Sequence, residues 1–137
     1  VMCIGPWENT YCNTGCKSNN ATVIIEVTDE CPVAGNEQWC SGDITHFDLS
    51  EHAFALIADT TCGVIKTQWR QVACDYGSNK NIIIQNHAGI NPYYFGITIM
   101  DVDYYGSISN VQIKDADSNT FIPGNRQDYN VWLWQSN

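Results

Sequence analysis

The alternation of hydrophobic and polar positions changes near residues 75 to 80, and this change divides the chain in two. The first part mixes strand-like and helix-like periods with long loops, whereas the second part needs only short strands separated by turns. The predicted strands of the second part cover residues 81 to 85, 94 to 102, 109 to 114 and 130 to 135. The pattern predicts a mostly β protein with two small domains, residues 1–76 and 77–137, the second of them a sandwich.

The first part contains two candidate strands and one candidate helix. Residues 22 to 28 are dense in β-branched side chains and predict a strand, and residues 68 to 74 are a further candidate. Three apolar residues in residues 51 to 58 fall at i, i+3 and i+4 and predict a short helix capped by Asp48 or Ser50. Residues 30 to 45 are rich in turn formers and predict a loop long enough to have a functional role.

Composition and charge exclude several kinds of partner. The chain has 137 residues with five Trp and seven Tyr, but only six Lys and Arg, and its formal net charge is −9. A nucleic-acid binder needs a clustered basic surface, and an acidic chain gains nothing electrostatically from an anionic membrane or from pectin. No apolar run reaches the ~18 residues of a membrane-spanning helix. We therefore predict a neutral partner, with neither nucleic acid nor membrane as a ligand.

Seven cysteines in so short a chain favour disulfides and an oxidising compartment. The alternative is a zinc site, but Cys12 and Cys16 are not followed by a second pair at finger spacing, and the three His are scattered. We predict no metal and no cofactor. Asn20 begins an Asn-Ala-Thr sequon, which agrees with secretion and predicts glycosylation.

Four short strings occur in an order and at a spacing that resemble a known family. They are Thr28-Asp29-Glu30-Cys31-Pro32, His46-Phe47-Asp48-Leu49-Ser50, Trp69-Arg70-Gln71-Val72-Ala73-Cys74 and Asn91-Pro92-Tyr93-Tyr94. Together they cover most of the chain and resemble the plant expansins, nearest to the beta-expansins.

The resemblance implies a fold and an activity. The first domain would be a six-stranded double-psi β-barrel related to family 45 glycoside hydrolases, and the second an immunoglobulin-like sandwich that binds polysaccharide. Expansins loosen plant cell walls without bulk hydrolysis, by disrupting non-covalent contacts between glucan chains. The resemblance therefore implies a secreted, extracellular, monomeric wall protein whose partner is cellulose, xyloglucan or xylan.

The chain departs from the family at both ends. It begins where the family's Cys-x-x-Cys segment has already passed, and it ends soon after Trp134. We expect a segment trimmed at both ends, with the N-terminal part of the barrel and the C-terminal part of the sandwich missing. The lack of an initiator Met agrees with a processed chain.

The resemblance also implies disulfides. Cys31 and Cys40 bracket the long loop as a pair does in alpha-expansins, and their separation of nine residues is an easy closure. Cys3 would pair with Cys12 or with Cys16. The family partner of Cys74 would precede Val1, which leaves an odd count of seven cysteines. Cys62 has no family counterpart, so its pairing stays open.

Two acidic residues and a histidine are the candidate groove residues of the first domain. Asp48 matches the general acid of the related hydrolases, with a helix cap as the alternative role. Asp29 matches a groove position, with a bond to its own turn as the alternative. His46 would position a loop or a carboxylate. The hydrolases' base lies on an early strand that is absent, and Glu30 would point away from Asp29, so hydrolysis is the weaker hypothesis.

The aromatic residues of the second domain divide between core and ligand. Trp132 and Trp134 share one face of a predicted strand, and most aromatics of such a chain are core. Tyr94 matches a platform residue of the family. Tyr129 lies near the family's platform Trp, although Asp128 could occupy that place and weaken the platform. We predict Tyr94 and Tyr129 as polysaccharide contacts.

Three functions follow from these residues. The first is non-enzymatic loosening of the wall, the second is glycoside hydrolysis of the family 45 kind, and the third is a defence or allergen-type carbohydrate-binding module. A second carboxylate in the groove would favour hydrolysis, and binding without wall extension would favour the third function.

Overall fold

The chain forms two compact units with few helices. The computed structural model describes residues 1–8, 12, 15–77 and 81–135. The first unit comprises Val1–Ile25 and Cys31–Val72, and the second comprises Glu26–Glu30 and Ala73–Asn137. No helix in the described ranges is long and apolar enough to cross a bilayer.

The described residues of the first unit form one two-stranded antiparallel sheet and two short α-helices. Strand β1 (Met2–Pro6) pairs with β2 (Ile65–Gln68), with an irregularity between Cys3 and Gly5. The helices are α1 (Glu37–Cys40) and α2 (Glu51–Ile57), and a 3-10 turn follows at Thr60–Cys62. The core is small: the fully buried side chains Cys3, Ile57 and Ala58, around which half-buried apolar residues pack.

Helix α2 is the element that the periodicity of the first part predicted. Its apolar residues Phe54 and Ile57 pack in the core, as their spacing requires. Ser50 is its N-cap, because the Ser50 hydroxyl accepts a hydrogen bond from the Ala53 amide at 3.2 Å. The alternative cap, Asp48, was wrong, since the Asp48 carboxylate bonds to a side chain instead.

Two predicted strands of the first part are not formed as expected. In residues 22 to 28 only Thr22 makes a bridge, to Met2, and Ile24 and Val27 are about two-thirds exposed, at 66% and 65%. The boundary between the units falls after Ile25, within this segment. Within the described part of the chain, residues 23 to 28 have no neighbouring strand with which to pair. Residues 68 to 74 form a strand only at their start, where β2 ends at Gln68. The predicted loop of residues 30 to 45 contains α1.

Three disulfides tie the first unit together. They join Cys3 to Cys16, Cys12 to Cys62 and Cys31 to Cys40. Of the two partners left open for Cys3, the structure has Cys16. Cys74 is the cysteine without a disulfide.

The second unit is built on a four-stranded antiparallel sheet in the order β3-β4-β8-β7. These strands are β3 (Ile83–Asn86), β4 (Tyr94–Met100), β7 (Asn125–Arg126) and β8 (Trp132–Gln135). Strands β5 (Gln112–Ile113) and β6 (Ile122–Pro123) form a separate two-stranded sheet. The predicted strands are therefore all present in shortened form, and an immunoglobulin-like arrangement stays a prediction.

One face of the four-stranded sheet is core and the other is open. Trp132 and Trp134 do share a face, and both are buried there with Ile97. The Trp134 indole N–H donates to the Ile122 carbonyl at 2.9 Å, so its one polar atom is satisfied. Because side chains alternate along a strand, Tyr94, Leu133 and Gln135 lie on the opposite face.

Candidate functional site

In the first unit, His46 and Asp48 form a pair at the surface. His46 Nε2 lies 3.0 Å from Asp48 Oδ1, and the two side chains are 23% and 72% exposed. Phe47 lies between them in the sequence. Its ring packs edge-on against that of Trp69, with 5.6 Å between the centroids. Alternation therefore leaves His46 and Asp48 on the same side of this extended segment.

Two tryptophans continue this surface. The Trp39 ring lies 5.7 Å from the His46 ring at an interplanar angle of 31°, and the Trp7 ring lies 5.8 Å from the Trp39 ring at 66°. Trp7 is 44% exposed. We call this row of four residues, Trp7, Trp39, His46 and Asp48, the tryptophan strip.

A disulfide holds the strip in place from one side. Trp39 belongs to the single turn α1, which ends at Cys40, and Cys40 is bonded to Cys31. An oxygen of Asp48 and the two sulfurs lie within 4.8 Å of one another, a spacing that could hold a metal ion. Both sulfurs are committed to the disulfide, however, and a metal needs thiolates.

Asp29 lies in the segment Glu26–Glu30, which belongs to the second unit, and its contact with polysaccharide stays a prediction. Its exposed carboxylate accepts a hydrogen bond from the Glu30 amide at 2.9 Å. This is the local role that the sequence offered as the alternative to a groove contact.

In the second unit, Tyr94 and Tyr129 both line one cavity on the open face of the sheet. The cavity has a volume of about 520 Å³ and is lined by Tyr94, Asn125, Gln127, Tyr129, Leu133 and Gln135. Its lining therefore contains two aromatic rings and three primary amides, with no charged side chain among them. We call this surface the tyrosine face.

His87 connects the two tyrosines. Its Nδ1 lies 3.1 Å from the Tyr94 hydroxyl, and its ring centroid lies 6.3 Å from that of Tyr94 and 6.4 Å from that of Tyr129. The His87 amide donates to the Gly96 carbonyl, which fixes the histidine opposite Gly96 at the end of β3. A Cβ atom on Gly96 would come within 2.8 Å of Leu133 Cδ2 and 3.1 Å of His87 Cβ, so glycine permits this approach.

Away from these surfaces, a tyrosine of the second unit titrates abnormally. Burial, then the hydrogen bond of its hydroxyl to Glu26 at 2.7 Å, raise the pKa of Tyr76 well above its usual range. The neighbouring Cys74 contributes in the same direction. This group is a neutral structural contact at physiological pH.

The remaining predicted site residue is Asn20. It is exposed and has a left-handed backbone with φ of 63°, and its carbonyl accepts a hydrogen bond from the Thr22 hydroxyl at 2.8 Å. The asparagine of the sequon is thus accessible, and its glycosylation stays a prediction.

Sequence reasoning missed Trp7, Trp39, His87 and the three amides of the tyrosine face. Trp39 lies in the predicted loop next to Cys40, and this proximity to a closing cysteine was a usable signal. His87 could have been found by extending the alternation of β3 by one residue beyond Asn86. Nothing in the sequence links Trp7 to Trp39, which are 32 residues apart.

Comparison with known proteins gives the family. A double-psi β-barrel family model described as "Lytic transglycolase" matches residues 1–69. Expansin-B4 of Arabidopsis thaliana is 32% identical over 139 residues, which cover 96% of this chain and 48% of that protein.

Further relatives carry similar names. Expansin-B16 of Oryza sativa subsp. japonica is 36% identical over 110 residues, covering 75% of this chain and 38% of that protein. Expansin-like protein 3 of Dictyostelium discoideum is 32% identical over 116 residues, covering 84% and 32%. No solved structure gives a significant match.

The chain spans about half the length, or less, of the curated relatives it matches. The relatives come from Arabidopsis thaliana and from Dictyostelium discoideum, so the likeness is not confined to plants. The match to the barrel family model extends over half of the chain, and the named relatives extend over most of it. The chain therefore belongs to the double-psi β-barrel family and is an expansin-like protein.

Proposed function

We propose that this chain binds neutral cell-wall polysaccharide and loosens non-covalent contacts between its strands without hydrolysing them. The observation that carries the proposal is the tyrosine face, an open sheet surface with two aromatic rings, three amides and no charged lining. Sugar rings present C–H faces that pack on aromatic faces, and amides both donate and accept hydrogen bonds to hydroxyls. A neutral polyol matches this lining better than an ion does.

The first unit supports a non-hydrolytic role. Glycoside hydrolysis uses a pair of carboxyl groups about 5 to 9.5 Å apart, one of them a proton donor kept in apolar surroundings. Asp48 is 72% exposed and bonded to His46, so its carboxyl group does not lie in apolar surroundings. Asp48 and His46 are suited to hydrogen-bond sugar hydroxyls instead.

We propose further properties of the domain, the location and the ligand. The second unit is an immunoglobulin-like polysaccharide-binding domain, and the protein is a secreted, extracellular monomer, glycosylated at Asn20. Its ligand is cellulose, xyloglucan or xylan, contacted through Asp29, His46 and Asp48 as well as through Tyr94 and Tyr129. The relatives' names, Expansin-B4 and Expansin-like protein 3, are consistent with this activity.

The proposal is tested by retention on insoluble cellulose, with the supernatant assayed for reducing ends. We expect Tyr94→Ala to weaken retention about five- to tenfold, which corresponds to the loss of one aromatic contact. Tyr93→Ala is the matched control, because Tyr93 is 72% exposed and does not line the cavity. We expect Tyr93→Ala to be retained like the parent chain, and no variant to release reducing ends.

Two outcomes would contradict the proposal. Equal retention of Tyr94→Ala and the parent chain would remove the tyrosine face as the binding surface. Steady release of reducing ends that Asp48→Asn abolishes would make the chain a glycoside hydrolase.

A further inference from the structure

Strand β3 lies at one edge of the four-stranded sheet of the second unit. The strand order is β3-β4-β8-β7, so in the part of the sheet that the structure describes β4 covers only one side of β3. The amide of His87, directly after β3, donates to the Gly96 carbonyl on β4. Because successive amides of an antiparallel strand point alternately toward and away from its neighbour, those of Ile84 and Asn86 point outward. An edge of this kind can accept a further strand.

The side chains along this edge are apolar and exposed. Ile82, Ile83 and Ile84 are 57%, 46% and 62% exposed. Ile84 is paired with Ile99, whose side chain packs against the core of the unit, yet Ile84 itself is mostly open to solvent. Three successive isoleucines place apolar groups on both faces of the strand. A further strand at this edge would cover apolar surface and bond the outward amides.

The charge of the segment favours a second copy of this chain as the partner. The formal net charge of −9 opposes self-association through most of the surface. Residues 81 to 100, however, contain no Asp, Glu, Lys or Arg. The string Asn81-Ile82-Ile83-Ile84-Gln85-Asn86 combines high β propensity with neither charge nor Pro nor Gly, as is typical of segments that pair with identical segments. Two copies of this edge can therefore meet without repulsion between like charges at the contact.

The opposite edge of the sheet is protected against such pairing. There β7 consists of Asn125 and Arg126 alone, and the Arg126 guanidinium donates to the Asn130 side chain at 3.0 Å. A very short strand with a charged side chain is a common protection of a sheet edge. Contact between β3 of one copy and β7 of the next would build an open-ended filament, whereas β3 against β3 closes with twofold symmetry. The two edges together favour a closed pair.

The symmetry of the pair determines where the tyrosine faces lie. When two identical strands pair in antiparallel fashion within one sheet, the twofold axis is perpendicular to the sheet, and corresponding faces lie on the same side. The two β4 strands, each of which carries Tyr94, would then be three strand spacings apart, about 14 Å. One polymer surface could contact both tyrosine faces, which raises the effective affinity without any new kind of contact.

From these observations we infer that the outer edge of β3 is a self-association surface, through which two copies of this chain pair with both tyrosine faces on one side. The pairing itself does not depend on the proposed function, whereas its benefit for polymer binding rests on that function.

The small size of the edge limits the strength of the pair. Strand β3 has four residues, and stable dimers bury about 1,200 to 2,000 Å² in total, more than one short strand pair provides. We therefore expect a Kd of about 0.1 to 1 mM. The chain is then a monomer in dilute solution, and it pairs where binding concentrates it on a polymer.

The test is sedimentation velocity of the parent chain from about 0.01 to 1 mM, a range that brackets the expected Kd. We expect the average mass to rise from the 15.4 kDa of the monomer toward twice that mass. Ile84→Lys should stay monomeric throughout, because a lysine on each edge introduces like charges at the contact. Ile24→Lys is the matched control, since Ile24 is 66% exposed, lies in the first unit and changes the net charge equally. It should associate like the parent chain.

A second variant guards against misfolding of the first. Asn86 is exposed at the end of β3, so Asn86→Lys should fold and should also stay monomeric. Urea denaturation shows whether each variant is folded under the conditions of sedimentation. The inference is overturned if the parent chain stays monomeric at about 1 mM, if the folded lysine variants of β3 associate like the parent chain, or if the mass rises past the dimer without limit.

Retention on cellulose at high protein loading tests the orientation of the pair. Contact through two tyrosine faces predicts that Ile84→Lys is retained about three- to tenfold more weakly than Ile24→Lys. Equal retention of the two variants, with Ile84→Lys monomeric, would overturn the placement of both tyrosine faces on one side. A parent chain that dimerises but is not retained on cellulose would overturn the proposed function and leave the pairing of the β3 edges standing.

Discussion

Single carboxylates in this chain differ in the groups with which they form hydrogen bonds. The Asp59 carboxylate accepts hydrogen bonds from the backbone amide and the hydroxyl of Thr61, and the backbone bond is the larger cause that lowers the pKa of Asp59. Asp29 similarly bonds the next backbone amide. Asp48 instead bonds the side chain of His46. Asp59 and Asp29 thus stabilise their own turns, whereas Asp48 bonds a side chain and is 72% exposed to solvent.

The tyrosine face requires a residue without a side chain at Gly96, because Leu133 and His87 pack closely there. A Cβ atom there would lie 2.8 Å from Leu133 Cδ2 and 3.1 Å from His87 Cβ. We expect Gly96→Ala to lower the free energy of unfolding by about 1 to 3 kcal/mol, because the crowded side chains must leave their rotamers. Urea denaturation measures this loss.

The control for Gly96 is a double variant. In Gly96→Ala with Leu133→Ala, the atom nearest to the new methyl group is gone, so part of the loss should be recovered relative to the sum of the single variants. Strict additivity of the two losses, or an unchanged stability of Gly96→Ala, would show that the contact with Leu133 is not what excludes a side chain.

Among the helices and strands, hydrophobic periodicity predicted the ones that bury an apolar face within one unit. Helix α2 and strands β4 and β8 were expected at nearly their observed bounds, because each packs its apolar residues in a core. Residues 22 to 28 have equally strong β propensity and make a single bridge. A strand needs a partner along its whole length, and propensity alone supplies none.

Helix α1 is too short to be stable by itself and depends on the disulfide at its end. It has four residues, and the side chain of its N-cap residue, Asn36, makes no capping bond. We expect the double variant Cys31→Ala, Cys40→Ala to lose about 2 to 3 kcal/mol of unfolding free energy, from the model of loop-closure entropy. Because Trp39 of this turn lies next to His46, a proposed ligand contact, retention on cellulose should weaken as well.

The control for the disulfide is a variant destabilised elsewhere. Ser50→Ala removes the cap of α2 and should cost about 1 kcal/mol. Its retention on cellulose should match that of the parent chain in conditions where both are folded. If Ser50→Ala loses as much binding as the double cysteine variant, general destabilisation rather than the position of Trp39 is responsible.

Across the whole molecule, the net charge of −9 predicts how binding responds to salt. Stacking on aromatic faces is insensitive to salt, whereas attraction between charges is screened beyond a Debye length of about 10 Å at 0.1 M. We expect retention on cellulose to stay nearly constant from about 0.01 to 1 M NaCl, a range over which that length shortens roughly tenfold.

The matching comparison is Tyr94→Ala across the same salt series. Its retention should lie below that of the parent chain at every salt concentration. A collapse of retention with rising salt, together with normal retention of Tyr94→Ala, would mean that a local charged patch and not the tyrosine face makes the contact.

Composition and local pattern are sufficient to indicate the chemistry available to this protein. The count of cysteines, the acidic balance and the four spaced strings established disulfides, a mostly β fold and an expansin-like family before any coordinate was known. The shared face of Trp132 and Trp134 followed from alternation alone. These properties are local or compositional, so a linear pattern is sufficient to specify them.

The contacts between residues distant in the sequence are seen in the folded structure alone. It joined Cys12 to Cys62, brought Trp7 against Trp39, and placed His87 between Tyr94 and Tyr129. It also turned Trp132 and Trp134 to the core, which left Tyr94 on the open face. Such contacts depend on the closure of long loops and on which face of a sheet is buried. Both are set by the packing of the whole unit, because the free energy of burying a face belongs to all the residues that cover it.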